Sequence, residues 1–106
     1  DFFIMQAVQE KTMSRELRAV CHIVLIHAEL ELKAFPHINL ERESVDWDGI
    51  FNEDYGGGHL AALRFAKAIW CDRVTTKGDP FDNAFSMDLP LRRTVLEALA
   101  IRWGLK

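Results

Sequence analysis

The residues with the widest chemical reach in this chain are four histidines, two cysteines and a run of three glycines. His22 and His27 share one apolar run with Cys21, while His37 and His59 stand apart. A metal site on a single helix needs ligands three or four residues apart, so that both side chains meet the ion. His22 and His27 are five apart, which turns them roughly 140° from each other at about 100° per residue. One helix cannot aim both at one metal. His27 and Glu31 share a face, but two ligands alone do not make a site. A Cys–His catalytic pair needs a partner from elsewhere in the chain, and no spacing supplies one. The histidines therefore read as residues at the margin of a core. Cys21 and Cys71 read as buried, inert thiols, with a disulfide open only if their helices pack side by side.

Three connecting segments carry the remaining chemistry. The acidic stretch Asp46-Trp47-Asp48-Gly49 through Asn52-Glu53-Asp54 has the composition of a calcium loop but not its spacing. From Asp46 the sixth residue is Phe51 instead of Gly, and the twelfth is Gly57 instead of Glu. It reads as a solvated stretch around a short helix, with an acidic surface for a basic partner as the functional alternative. Gly56-Gly57-Gly58-His59 precedes a helix, where backbone N–H groups can hold an anion. The Lys and Ser/Thr of a phosphate loop do not follow, so a flexible hinge is the expectation. Asp79-Pro80-Phe81-Asp82-Asn83-Ala84-Phe85 is a turn with two aromatics. It reads as a connection whose phenylalanines plug the core, or else as an exposed Phe pair for a partner.

Helices must position these segments. A ragged apolar pattern predicts a helix over residues 2–11. Ser14 is a good N-cap for a long core helix from Arg15 to Lys33. Leu17, Val20, Cys21, Val24, Leu25, Ala28 and Leu32 fall there at steps of three and four. Phe35-Pro36 ends it. A short extended piece with Ile38 and Leu40 follows, then a short helix capped by Ser44 and carrying Val45, Trp47, Ile50 and Phe51. A third long helix runs from His59 to Val74, with a glycine stop at Gly78. Asp88 and Pro90 open the last helix, Leu89 to Trp103, with Leu91, Val95, Leu99 and Trp103 facing inward and Leu96 and Ile101 adding to the sides. The expectation is a single all-α domain, an irregular bundle of four main helices with one or two short ones.

Composition narrows the function classes. Of 106 residues, 49% are hydrophobic, and the aromatics are seven Phe, three Trp and one Tyr, a payload that disordered chains lack. Sixteen acids against thirteen bases give a formal net charge of -3. The two signs are interleaved, which disfavours a nucleic-acid task. No apolar run approaches the roughly 18 residues of a membrane span, and the expected location is cytoplasmic.

Over residues 60–104, three motifs resemble small uncharacterised helical proteins carried by phages and other mobile elements. They are Ala62-Leu63-Arg64-Phe65-Ala66, Asp79-Pro80-Phe81-Asp82 and Leu96-Glu97-Ala98-Leu99-Ala100-Ile101-Arg102-Trp103. The resemblance implies a bacterial accessory protein and carries no catalytic residue.

No matched set of nucleophile, base and orienting group emerges, and no cofactor or metal is implied. The leading reading is a non-enzymatic interaction module, a homo-oligomer or a subunit of another protein. Trp47, Phe51, Gly57, His59, Phe81 and Phe85 are its candidate binding residues. The alternative is a small hydrolase or ligand-binding protein gathering His22 or His27 with Glu29, Glu31 or Asp54 beside the glycines.

Overall fold

The computed structural model describes residues 13–73, 80–81 and 84–105. The helix expected over residues 2–11, the stop at Gly78, Val74, Asp79, Asp82 and Asn83 lie outside them. The chain is mainly α-helical, as expected. Its elements are α1 (Arg15–Val24), α2 (Ala28–Lys33), a 3-10 turn (Phe35–His37), β1 (Ile38–Asn39), β2 (Ser44–Val45), α3 (Trp47–Phe51), α4 (Gly57–Cys71), a second 3-10 turn (Ala84–Ser86) and α5 (Leu89–Arg102). The strands form a minimal antiparallel ribbon pairing Ile38 with Val45 and Asn39 with Ser44.

α1 is the centre of the molecule and packs against both α4 and α5. Ser14 caps it as expected, its hydroxyl accepting from Leu17 N at 3.2 Å. Leu17, Val20, Cys21, Ile23 and Val24 are fully buried against Leu30, Ile50 and Leu63. The long helix to Lys33 does not form. The chain breaks at Leu25–His27, where His27 becomes an extended N-cap residue for α2. Ile23, Val24 and Ile26 are β-branched and lose rotamer freedom in a helix. Glu29 and Glu31 begin α2 and Lys33 ends it, the charge order that a separate helix dipole favours. Only Leu30 of α2 is buried, and Leu32 faces solvent.

Three further expectations are corrected. Ser44 sits in the ribbon, and α3 is capped by Asp46, whose carboxylate accepts from Gly49 N at 3.1 Å. The glycine run is not a hinge apart from the helix. Gly56 is the N-cap of α4, and Gly57 and Gly58 form its first turn. Gly58 is required by close approach, since a Cβ there would lie 2.7 Å from the Ser86 carbonyl oxygen. Trp103 does not face the core, and Leu96 is exposed instead of lining its side. Steps of four advance about 400°, so a stripe from Leu91 has drifted roughly 120° by residue 103. The buried stripe of α5 is Leu91, Thr94, Val95 and Ala98, while Leu99 is half-buried and Trp103 is exposed.

Arg102 closes the bundle. Its Nε donates to the Ile69 carbonyl oxygen at 3.2 Å, and its guanidinium lies 3.4 Å from Glu16. One side chain thus joins the ends of α4 and α5 to the start of α1.

Candidate interaction surface

α5 is apolar on two sides. Its inward stripe is buried, with Val95 only 5% exposed, yet Leu89, Leu96 and Trp103 on the other side are 68%, 67% and 61% exposed. These three are seven residues apart, and an α-helix drifts only about 20° over seven residues. They therefore form one outward line nearly opposite Ala98. Half-exposed Ala100 lies between Leu96 and Trp103 on the same line. Arg92 and Arg93 flank it one turn from its N-terminal end. A surface helix normally carries polar residues there.

Exposed Phe85, in the turn before α5, lies beside Arg92. The two phenylalanines of the preceding turn do not plug the core. Phe81 and Phe85 are 75% and 90% exposed, because Pro80 and Met87 take the buried positions of that turn. Phe81 still touches the fold, its ring set edge-on to Phe65 at 5.2 Å between centroids. Phe85 is held from the side. The Arg92 guanidinium stacks over its ring at 5.5 Å and donates to its carbonyl oxygen at 3.1 Å. Exposed Leu105 lies beyond the other end of α5.

The other expected binding residues lie elsewhere. Trp47 and Phe51 stack at 6.1 Å, and Trp70 meets Trp47 edge-on at 6.5 Å. Both are partly buried and line the core margin. The Trp47 indole N–H is buried with no hydrogen-bond partner. Gly57 is exposed at the start of α4, next to Ser86. His59 faces α2, where a carboxylate can only accept, so its Nδ1–H donates to Glu29 at 2.8 Å. The His27 ring lies 5.0 Å from the His59 ring. The hydrogen bond from His59 holds the Glu29 carboxyl below its ordinary range, helped by the charges of His59 and Lys33 and the Gly56 amide.

The other two paired histidines meet carboxylates elsewhere. His22 Nε2 meets Glu97 at 3.0 Å and His37 Nε2 meets Glu53 at 3.2 Å. Lys33 donates to the Asp54 carbonyl oxygen and lies over the Tyr55 ring at 5.8 Å. The structure thus joins His59 to Glu29 beside the glycines and places His27 near them, while His22 belongs to the α1–α5 contact. Among the described residues no group of three or more His, Cys, Asp or Glu side chains can hold a metal ion. Cys21 is buried and free, and burial pushes its thiol up to about 12. Cys71 is also free but only half-buried, contrary to expectation. Among the described residues no helix is long and apolar enough to cross a membrane.

The outward line of α5 was readable only in part. Leu89, Leu96 and Trp103 stand at heptad spacing, but the four-residue pattern put Trp103 on the core face and Leu96 at its side. Comparison with family models, with curated proteins and with solved structures finds no match.

Proposed function

We propose that this chain is a non-enzymatic protein-interaction module, a cytoplasmic accessory protein of the phage or mobile-element kind, whose contact surface is the outward face of α5 with Phe85. The observation that carries the reading is the exposed line Leu89, Leu96 and Trp103 on a helix whose opposite side already fills the core. Exposed apolar residues in a row cost solubility and mark contact sites when they are contiguous. Aromatic residues and Arg are also enriched at the centres of interfaces, and here Arg92 and Trp103 lie on α5 and Phe85 in the turn before it.

The test is a photo-crosslinking amino acid at Leu96, expressed in the native host, with the same residue at exposed Glu41 as control. A discrete adduct at Leu96 and none at Glu41 supports the surface. No adduct at Leu96 overturns it.

A second reading, ligand binding or hydrolysis at His59, draws on the 2.8 Å contact with Glu29 and the neighbouring His27 ring. A carboxylate on Nδ1 orients the imidazole and leaves Nε2 to act as a base. The same contact ties the first turn of α4 to α2, a structural task that needs no substrate. Loss of a hydrolytic activity in His59→Gln, with unchanged melting temperature, would favour the second reading.

A further inference from the structure

The outward face of α5 matches itself when one copy is turned end over end. Leu96 is the midpoint of the line, with Leu89 seven residues before it and Trp103 seven after. If two α5 helices cross antiparallel with their Leu96 residues facing, residue pairs whose numbers sum to 192 lie opposite each other. Leu89 then meets the partner's Trp103, a smaller apolar side chain against a larger one. Arg92 meets the partner's Ala100, and Arg93 meets the partner's Leu99. A twofold contact requires such self-complementarity.

Charge selects this direction. In a parallel pair, Arg92 and Arg93 of both copies would stand side by side, and like charges so placed repel. In the antiparallel pair the two Arg clusters are seven residues out of step, about 10 Å along the axis at 1.5 Å per residue. That is about one Debye length at physiological salt. Each cluster then faces apolar surface, against which Arg packs its methylenes. Phe85 and Leu105 lie beyond the helix at opposite ends, so the same turn brings Phe85 of each copy towards the partner's Leu105.

Size places the contact among small interfaces. α5 has 14 residues and is therefore about 21 Å long. A helix contact of that length, with Phe85 and Leu105 added, buries on the order of 500 Å² per copy, near the lower bound for a specific interface.

We propose that the partner of this surface is a second copy of the chain, docked antiparallel through α5 about Leu96, in a weak dimer with a dissociation constant on the order of 100 µM. The inference rests on the reading of α5 as a docking surface and adds the identity of the occupant.

Sedimentation velocity of the purified chain from about 5 to about 500 µM tests it. The apparent mass should rise from 12.2 kDa towards twice that value. Leu96→Glu sets two carboxylates face to face on the twofold and should weaken the dimer at least tenfold, with its circular-dichroism melt at low concentration unchanged. Ala100→Glu tests direction. It places a carboxylate opposite the partner's Arg92 and should tighten the dimer several-fold at low salt, whereas a parallel pair would bring two glutamates together and weaken.

A wild-type chain that stays monomeric to about 500 µM overturns the proposal. So does a dimer indifferent to Leu96→Glu, or one that Ala100→Glu weakens. A monomer whose Leu96 still crosslinks to one other protein in cells removes the second copy and leaves the docking surface standing. The absence of any adduct at Leu96 removes both.

Discussion

Val95 and Leu96 are adjacent in sequence and opposite in environment, so truncating each in turn measures which way α5 faces. Val95 is 5% exposed and packs in the cluster with Leu91 and Ala98. Val95→Ala removes two methyl groups, worth about 0.8 kcal/mol each, and leaves a cavity. The expected cost is about 2–3 kcal/mol. Leu96 is 67% exposed. Full burial of a leucine is worth about 1.5–3 kcal/mol, of which only a third applies here. Leu96→Ala also gains a little helix propensity. Its expected cost is below about 0.7 kcal/mol. At about 4–8 °C per kcal/mol for a chain of this size, Val95→Ala should melt about 10–20 °C below the parent and Leu96→Ala less than about 5 °C below it. The assay is circular dichroism at a few micromolar, where any weak dimer is dissociated. If Leu96→Ala costs as much as Val95→Ala, the outward line is covered within the monomer and the reasoning fails.

Other consequences follow from single contacts. At about pH 8 only the Cys71 thiol should react quickly with a disulfide reagent. Burial holds the Cys21 thiol near 12, so it stays protonated and shielded and should label only as fast as the chain unfolds; two fast thiols would contradict this. Glu29 has a carboxyl held below its ordinary 4.5 in the folded chain, first by the His59 hydrogen bond. A depressed folded value contributes stability above 4.5 that is lost as pH falls through the lower value. The melting temperature of Glu29→Gln should therefore lie below the parent's at about pH 6, and the gap should close as pH falls through the depressed folded-state value. Arg102→Met keeps the stem but removes the donor to Ile69 and the charge beside Glu16. Hydrogen bonds from charged groups are worth roughly 1.5–3 kcal/mol, and partial exposure discounts the ion pair, so urea unfolding should show a loss of about 1–2 kcal/mol.

What the sequence made legible was local. Ser14 and Asp88 announce their helices through side-chain caps that form as read, at 3.2 and 2.9 Å. The core face of α1 follows from three- and four-residue spacing. What it hid depended on competition between neighbours. The apolar run through Ile26 looks continuous, and only the charge order Glu29, Glu31, Lys33 marks a new helix. Phe81 and Phe85 are the largest apolar groups of their turn, yet Pro80 and Met87 win the buried places. Ser44 and Asp46 are both plausible caps two residues apart, and strand pairing claims Ser44. On α5 both faces are apolar, and a four-residue rule carried Trp103 to the core face and Leu96 to its side. The Glu29–His59 contact spans thirty residues and has no local signature at all.

Occupancy of the outward face of α5 in the cell can be read position by position. A photo-crosslinking residue placed in turn at each exposed or half-exposed position from Leu89 to Trp103, in the native host, tests it most directly. Strong adducts are expected at Leu89, Leu96, Ala100 and Trp103, weaker ones at Arg92 and Arg93, and little at Glu97 and Ile101, a pattern with the period of one helix face. Adducts of equal strength at all positions, or none above the Glu41 control, would contradict it.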